Sequence, residues 1–139
     1  MKETTRVLIP MDGSAFGDAV LMAIHPLVRS RNVEVTLLHV SESRDRTEEE
    51  AEHRLDFHRK ALQGDGVRTR VRMVSGRRAE EILQEALIGQ FDLIAMATHG
   101  RTGMDRVTIG SVAEEVVRSS PIPTLLCRNR VRIGGWERI

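Results

Sequence analysis

The sequence predicts an α/β domain: a five-stranded parallel sheet, order 3-2-1-4-5, with helices on both faces. Three observations carry this. Apolar runs of strand length alternate with amphipathic stretches of helix length, giving β-α-β-α-β-α-β-α-β along the chain. Leu93 to Ala97 is uninterruptedly apolar, the pattern of a strand covered on both faces. In Val67 to Val74, strict alternation sets Arg68, Arg70 and Arg72 against Val67, Val71 and Met73, the pattern of a half-exposed edge.

The first strand is Arg6 to Met11, with Pro10 near its end because proline cannot donate to a ladder. Asp12-Gly13-Ser14 is a turn, and Ser14 can cap the helix that follows to about Ser30. Phe16, Val20, Ala23 and Leu27 mark its inner face, and Pro26 predicts a kink or a 3₁₀ turn. The second strand is Val33 to Val40. Thr47 and Glu50 form a capping box for the second helix, whose inner face is Ala51, Leu55, His58 and Leu62 and whose end is Gly64. The third helix spans Arg78 to Gly89, with Ala79, Ile82, Leu83, Ala86 and Leu87 as its stripe. Asp92 to Ala97 is the fourth strand. After a glycine loop the fourth helix runs to about Ser120, where Pro121 and Pro123 stop it. Thr124 to Cys127 is the fifth strand. Residues 1–128 thus form one domain, and 129–139 a basic tail containing Trp136.

The totals exclude several classes. A chain of 139 residues suits one domain with a real core. Net charge is +1 and aromatics make up 3% of residues, which argues against a nucleic-acid surface or a base-stacking platform. The first residues lack the apolar core of a signal peptide, and no apolar run approaches the ~20 residues of a membrane span. Cys127 is alone, so a disulfide framework or cysteine zinc cluster is not expected. A cytoplasmic protein without nucleic-acid or membrane partners is the reading these totals favour. His25, His39, His53 and His58 show no metal-ligand spacing and read as structural or solvated.

The informative stretch is Ile94 to Ser111. Gly100, Gly103 and Gly110 punctuate a loop between a buried strand and a helix start. Glycine lets backbone approach a ligand closely, and helix-start amides attract anions. Arg101 and the hydroxyls of Thr98, Thr102 and Ser111 add donors. This loop reads as a phosphate cradle. In the expected strand order, Asp12 after strand one and the loop after strand four meet in one crevice.

Four blocks resemble the universal stress protein family: Pro10-Met-Asp-Gly-Ser14, Leu37-Leu-His-Val40, Thr98-His-Gly-Arg-Thr-Gly103 with Gly110-Ser-Val-Ala-Glu-Glu-Val-Val117, and Ser120-Pro-Ile-Pro-Thr-Leu-Leu126. Gly100, nine residues, Gly110 and Ser111 match the spacing of the family's nucleotide-binding members. The pattern's first glycine is Ala97 here, harmless at negative φ and crowding otherwise. The resemblance implies a Rossmann-like, adenine nucleotide alpha-hydrolase-like fold and ATP as ligand, with Mg²⁺ or Mn²⁺ on its phosphates. It implies Asp12 against ribose or adenine, with Pro10, Met11 and Val40 lining the base pocket and Met96 and Ala97 closing its wall. Gly100, Arg101, Gly110, Ser111 and Val112 are then the phosphate surround, with Gly103 inside the same loop. It further implies a homodimer through Thr124 to Cys127. No Walker lysine is present, so any ATP hydrolysis is expected to be slow. A ligand-free dimeric module is the other alternative.

Overall fold

The computed structural model describes residues 4–12, 15–30, 32–42, 48–98 and 110–127. Five strands and four helices alternate: β1 (Thr5–Pro10), α1 (Ala15–Ser30), β2 (Val33–Ser41), α2 (Glu48–Gly64), β3 (Arg68–Ser75), α3 (Arg78–Ile88), β4 (Leu93–Ala97), α4 (Ser111–Ser119) and β5 (Thr124–Cys127). All pairings are parallel and the order is β3-β2-β1-β4-β5, as the sequence predicts. The winding direction reverses between β1 and β4.

Side-chain alternation along the strands divides the core into two layers. Val7, Ile9, Met11, Val35, Leu37 and Ala95 pack with Val20, Ile24 and Val28 of α1 and Leu55 and Leu62 of α2. Leu8, Leu38, Val40, Ile94 and Met96 pack with Ala79, Ile82 and Ala86 of α3 and Ala113 and Val116 of α4. Both faces of the central strands are therefore dry, and Val7, Leu8, Ile9 and Ile94 are wholly inaccessible. β3 is an edge, and its three arginines are exposed.

Two helix faces differ from the sequence expectation. Among the described side chains of α1 the buried residues are Val20, Leu21, Ile24 and Val28; Ala23 is exposed and Leu27 half-buried. The expected stripe is rotated, because several apolar residues compete in that segment and only the packed layer selects among them. In α3, Leu87 is 67% exposed because its neighbour Ala86 takes the inward position. Pro26 lies inside an α1 that continues without a 3₁₀ break. It sits on the exposed side, so the carbonyl it orphans can bond water. Ser14 and Thr47, the expected caps, and Phe16's side chain lie outside the described residues.

The ends of α2 and α3 share one bonding pattern. Gly66 N–H donates to Gln63 O and Val67 N–H to Leu62 O; Gln90 N–H donates to Leu87 O and Phe91 N–H to Ala86 O. In each, the middle residue has positive φ: 86° at Gly66 and 56° at Gln90. α2 ends at Gly64, as the sequence reading has it, and the left-handed turn follows at Gly66. Gly89 is constrained differently: a Cβ there would stand 2.5 Å from the Phe91 ring.

Candidate functional site

The parted ends of β1 and β4 form the site. Register pairs Val7 with Leu93 and Leu8 with Ile94, and the β1–β4 ladder ends there. Pro10 supplies the physical reason. Met11 N–H donates to Leu38 O on the β2 side, whereas Arg6 N–H donates to Asp92 Oδ2 on the β4 side. Alternation turns the nitrogen of Pro10 toward β4, where it has no hydrogen to give. β1 stays registered with β2 through Pro10 and Leu38, so the crevice opens only toward β4.

Beside this crevice lie two helix starts, α3 and α4. At α3, the Glu42 carboxylate accepts from Arg78 N–H at 2.9 Å, so an acid of the protein already sits on that terminus. At α4 the N-cap is Gly110, extended at φ −69° and ψ 162°, with no side-chain cap. The first helical bond is Glu114 N–H to Gly110 O, 2.9 Å, leaving the amides of Ser111, Val112 and Ala113 without an intrahelical acceptor. Gly110 N–H itself donates to Thr98 O at 2.6 Å. That bond pins the start of α4 to the tip of β4. Thr98 N–H in turn donates to Cys127 O at 3.1 Å.

The predicted side chains distribute over both faces of the sheet. Pro10, Val40 and Met96 fall on the α3/α4 face, the face of the open helix start; Val40 and Met96 are buried and Pro10 is half-buried. Met11 and Ala97 belong to the opposite, α1/α2 layer. They border the crevice through backbone. Ala97 lies in β4, and among the described residues Gln90 alone combines a side chain with positive φ. The methyl that replaces the pattern's glycine therefore strains nothing and points away from α4. Asp12 is half-buried at the tip of β1. Ser111 is exposed and Val112 half-buried at the start of α4. Gly100, Arg101 and Gly103 lie outside the described residues.

Sequence reasoning missed two supports. His39 is 4% exposed, and its Nδ1 lies 3.2 Å from the Met11 carbonyl oxygen. Arg77, at the start of α3, reaches the Glu115 carboxylate of α4 and Glu80 of its own helix. Those two acids raise the Arg77 pKa, and Arg77 lowers that of Glu115. The bridge is solvent-exposed and sets helix spacing more than stability. Among the described residues, no group of three His, Cys, Asp or Glu could hold a metal ion. No helix among them is long and apolar enough to cross a membrane.

A doubly wound parallel sheet with an uncapped helix start at its switch point defines a Rossmann-like α/β protein. More narrowly, the universal stress protein family model matches residues 3–128, and the chain belongs to that family. It is 36% identical over 80 residues to universal stress protein MJ0531 of Methanocaldococcus jannaschii, covering 58% of this chain and 47% of that protein. Against universal stress protein MJ0577 of the same organism it is 25% identical, covering 90% of this chain and 95% of that one. The solved structure of MJ0577 superposes with a TM-score of 0.83 at 26% identity, over 94% of this chain and all of that chain. A universal stress protein family protein from Arabidopsis thaliana, solved with AMP bound, has the same fold: TM-score 0.71, 19% identity, 91% of this chain and 92% of that one.

Proposed function

We propose that this protein binds an adenine nucleotide, ATP with Mg²⁺ or Mn²⁺ on its phosphates, between the tips of β1 and β4. The observation that carries the reading is the open start of α4 beside the parted strands. Its amides lack both a side-chain cap and intrahelical acceptors, and a polyphosphate supplies the acceptors and the negative charge they favour. Pro10, Val40 and Met96 offer apolar surface to the base, and Asp12 a carboxylate to the ribose. Gly110, Ser111 and Val112 face the phosphates, together with Gly100, Arg101 and Gly103 of the loop. The metal would be held chiefly through the nucleotide, since among the described residues no group of three His, Cys, Asp or Glu could hold one. The AMP carried by the Arabidopsis relative supports an adenine nucleotide as the ligand class. The role that follows is a cytoplasmic stress-response or signalling module whose surface changes with occupancy.

Heat release of small molecules from the purified protein, followed by nucleotide analysis, tests the reading. So does melting with ATP and Mg²⁺: a site filled at ~100 times its Kd gains about 2.7 kcal/mol. Neither released nucleotide nor a shift is compatible with the proposal. A homodimer through β5 is part of the same reading, since Thr124–Cys127 is the sheet edge and Leu125 on it is 41% exposed. Leu125→Glu should return the dimer to monomer in sedimentation; a monomeric wild type would remove this element.

A further inference from the structure

Beyond the last registered pair of β1 and β2, Pro10 with Leu38, the Met11 carbonyl is met by a side chain. His39 reaches it with Nδ1 at 3.2 Å while itself 4% exposed. A carbonyl only accepts, so this geometry requires the proton on Nδ1. The peptide held in this way is the one that joins Met11 to Asp12. Asp12 follows where β1 leaves the sheet, and its position depends on how that peptide is turned. On the β4 side Pro10 has no N–H to donate, and the β1–β4 ladder has already ended. The tip of β1 therefore hangs on its β2 side from Met11 N–H to Leu38 O, 2.8 Å, and from the imidazole.

We infer that His39 is a positioning residue of the nucleotide site, which fixes the β1 tip so that Asp12 meets the nucleoside. The inference rests on the nucleotide-binding reading above. It separates the site into two parts with different supports. The phosphate half hangs on Gly110 and Thr98, and the nucleoside half on His39 and Met11.

The test is the affinity of full-length protein for AMP and for ATP in four forms: wild type, His39→Leu, His39→Asn and Gly110→Val. His39→Leu removes the donor and should weaken AMP and ATP alike, by about tenfold, the order expected for one lost buried hydrogen bond. Their affinity ratio should hold. His39→Asn, whose amide can stand near Nδ1, should restore most of both. Gly110→Val should instead shrink the ratio, because it damages the phosphate half. Unchanged affinities in His39→Leu, or a ratio that shrinks as in Gly110→Val, would overturn the assignment. Wild type that binds neither nucleotide removes the underlying reading, and this inference with it. Should His39→Leu fail to fold, the long-range ¹H–¹⁵N spectrum of the wild-type imidazoles decides, with His39→Asn identifying the resonance. An Nδ1–H tautomer is expected, and an Nε2–H tautomer refutes the proposal.

Discussion

At the amino ends of the strands, one residue ties four elements together. Arg6 pairs with Glu34 of β2 at 3.0 Å, donates to the Gly89 carbonyl behind α3, and lies 4.6 Å over the Phe91 ring. Its own amide donates to Asp92 at 2.9 Å. At the carboxyl ends of the same strands, the β1–β4 ladder ends and the first amides of α4 have no intrahelical acceptor. Among the described residues, one end of the sheet meets its polar groups with protein partners, while the other leaves these amides open. The contrast separates stability from binding along a single strand: changes near Arg6 should act on folding, and changes near Asp12 and Gly110 on affinity.

The largest expected effect breaks the open end. Gly110→Val places a branched side chain at the mouth of α4 and should remove most of the ATP-dependent stabilisation, which is about 2.7 kcal/mol at 100 times Kd. Calorimetry of the unliganded variant should show a fold nearly as stable as wild type; an undiminished ATP shift would contradict the cradle. At the closed end, Arg6→Ala loses a half-buried ion pair, a hydrogen bond and a cation–π contact. Urea titration should register a loss of about 2 kcal/mol, with the ATP affinity of the folded protein unaltered. A fall in that affinity comparable to the Gly110 variant would abolish the division between the ends.

Two smaller effects lie on β5, one at each end. Thr124, paired with Ile94 at the closed end, has a buried hydroxyl oxygen without a hydrogen-bond partner among the described residues. It is an exception at that end, and Thr124→Val should raise stability by about 1 kcal/mol. Destabilisation in the same titration would show that the hydroxyl is satisfied after all. Cys127, paired with Ala97 at the open end, is half-buried, and burial pushes its thiol above the ordinary range. The folded state holds this proton more tightly than the unfolded chain. Its contribution is thus fully present below the unfolded thiol value, about 8.5, and is lost as pH rises through the folded one. Unfolding measured between neutral and alkaline pH should show that decline in wild type and less of it in Cys127→Ala.

The sheet order was legible because its signals are local: an apolar run for β4, alternating arginines for β3, proline and glycine punctuation between elements. The crevice followed from topology, and the open start of α4 from Gly110-Ser111. What was not legible depends on partners far apart in the chain. Arg6 meets Glu34, Gly89 and Phe91 only after β1 has found both neighbours. His39 read only as structural or solvated, like the other histidines, until the fold set it against Met11. The α1 stripe failed for a related reason: alanine at position 23 scores as apolar, yet its neighbour Ile24 fills the layer. Gly64 marked the end of α2, whereas the left-handed turn at Gly66 shows only in the hydrogen bonding.

Pro10 gives the molecule its cleft by covalent means. A gap kept open by bulky neighbours can collapse when they repack, and one kept open by a bound molecule closes when it leaves. A ring nitrogen without hydrogen does neither, since no rearrangement restores the missing donor. The empty form should therefore retain the shape of the filled one, and ligand capture need not wait for strands to be prised apart.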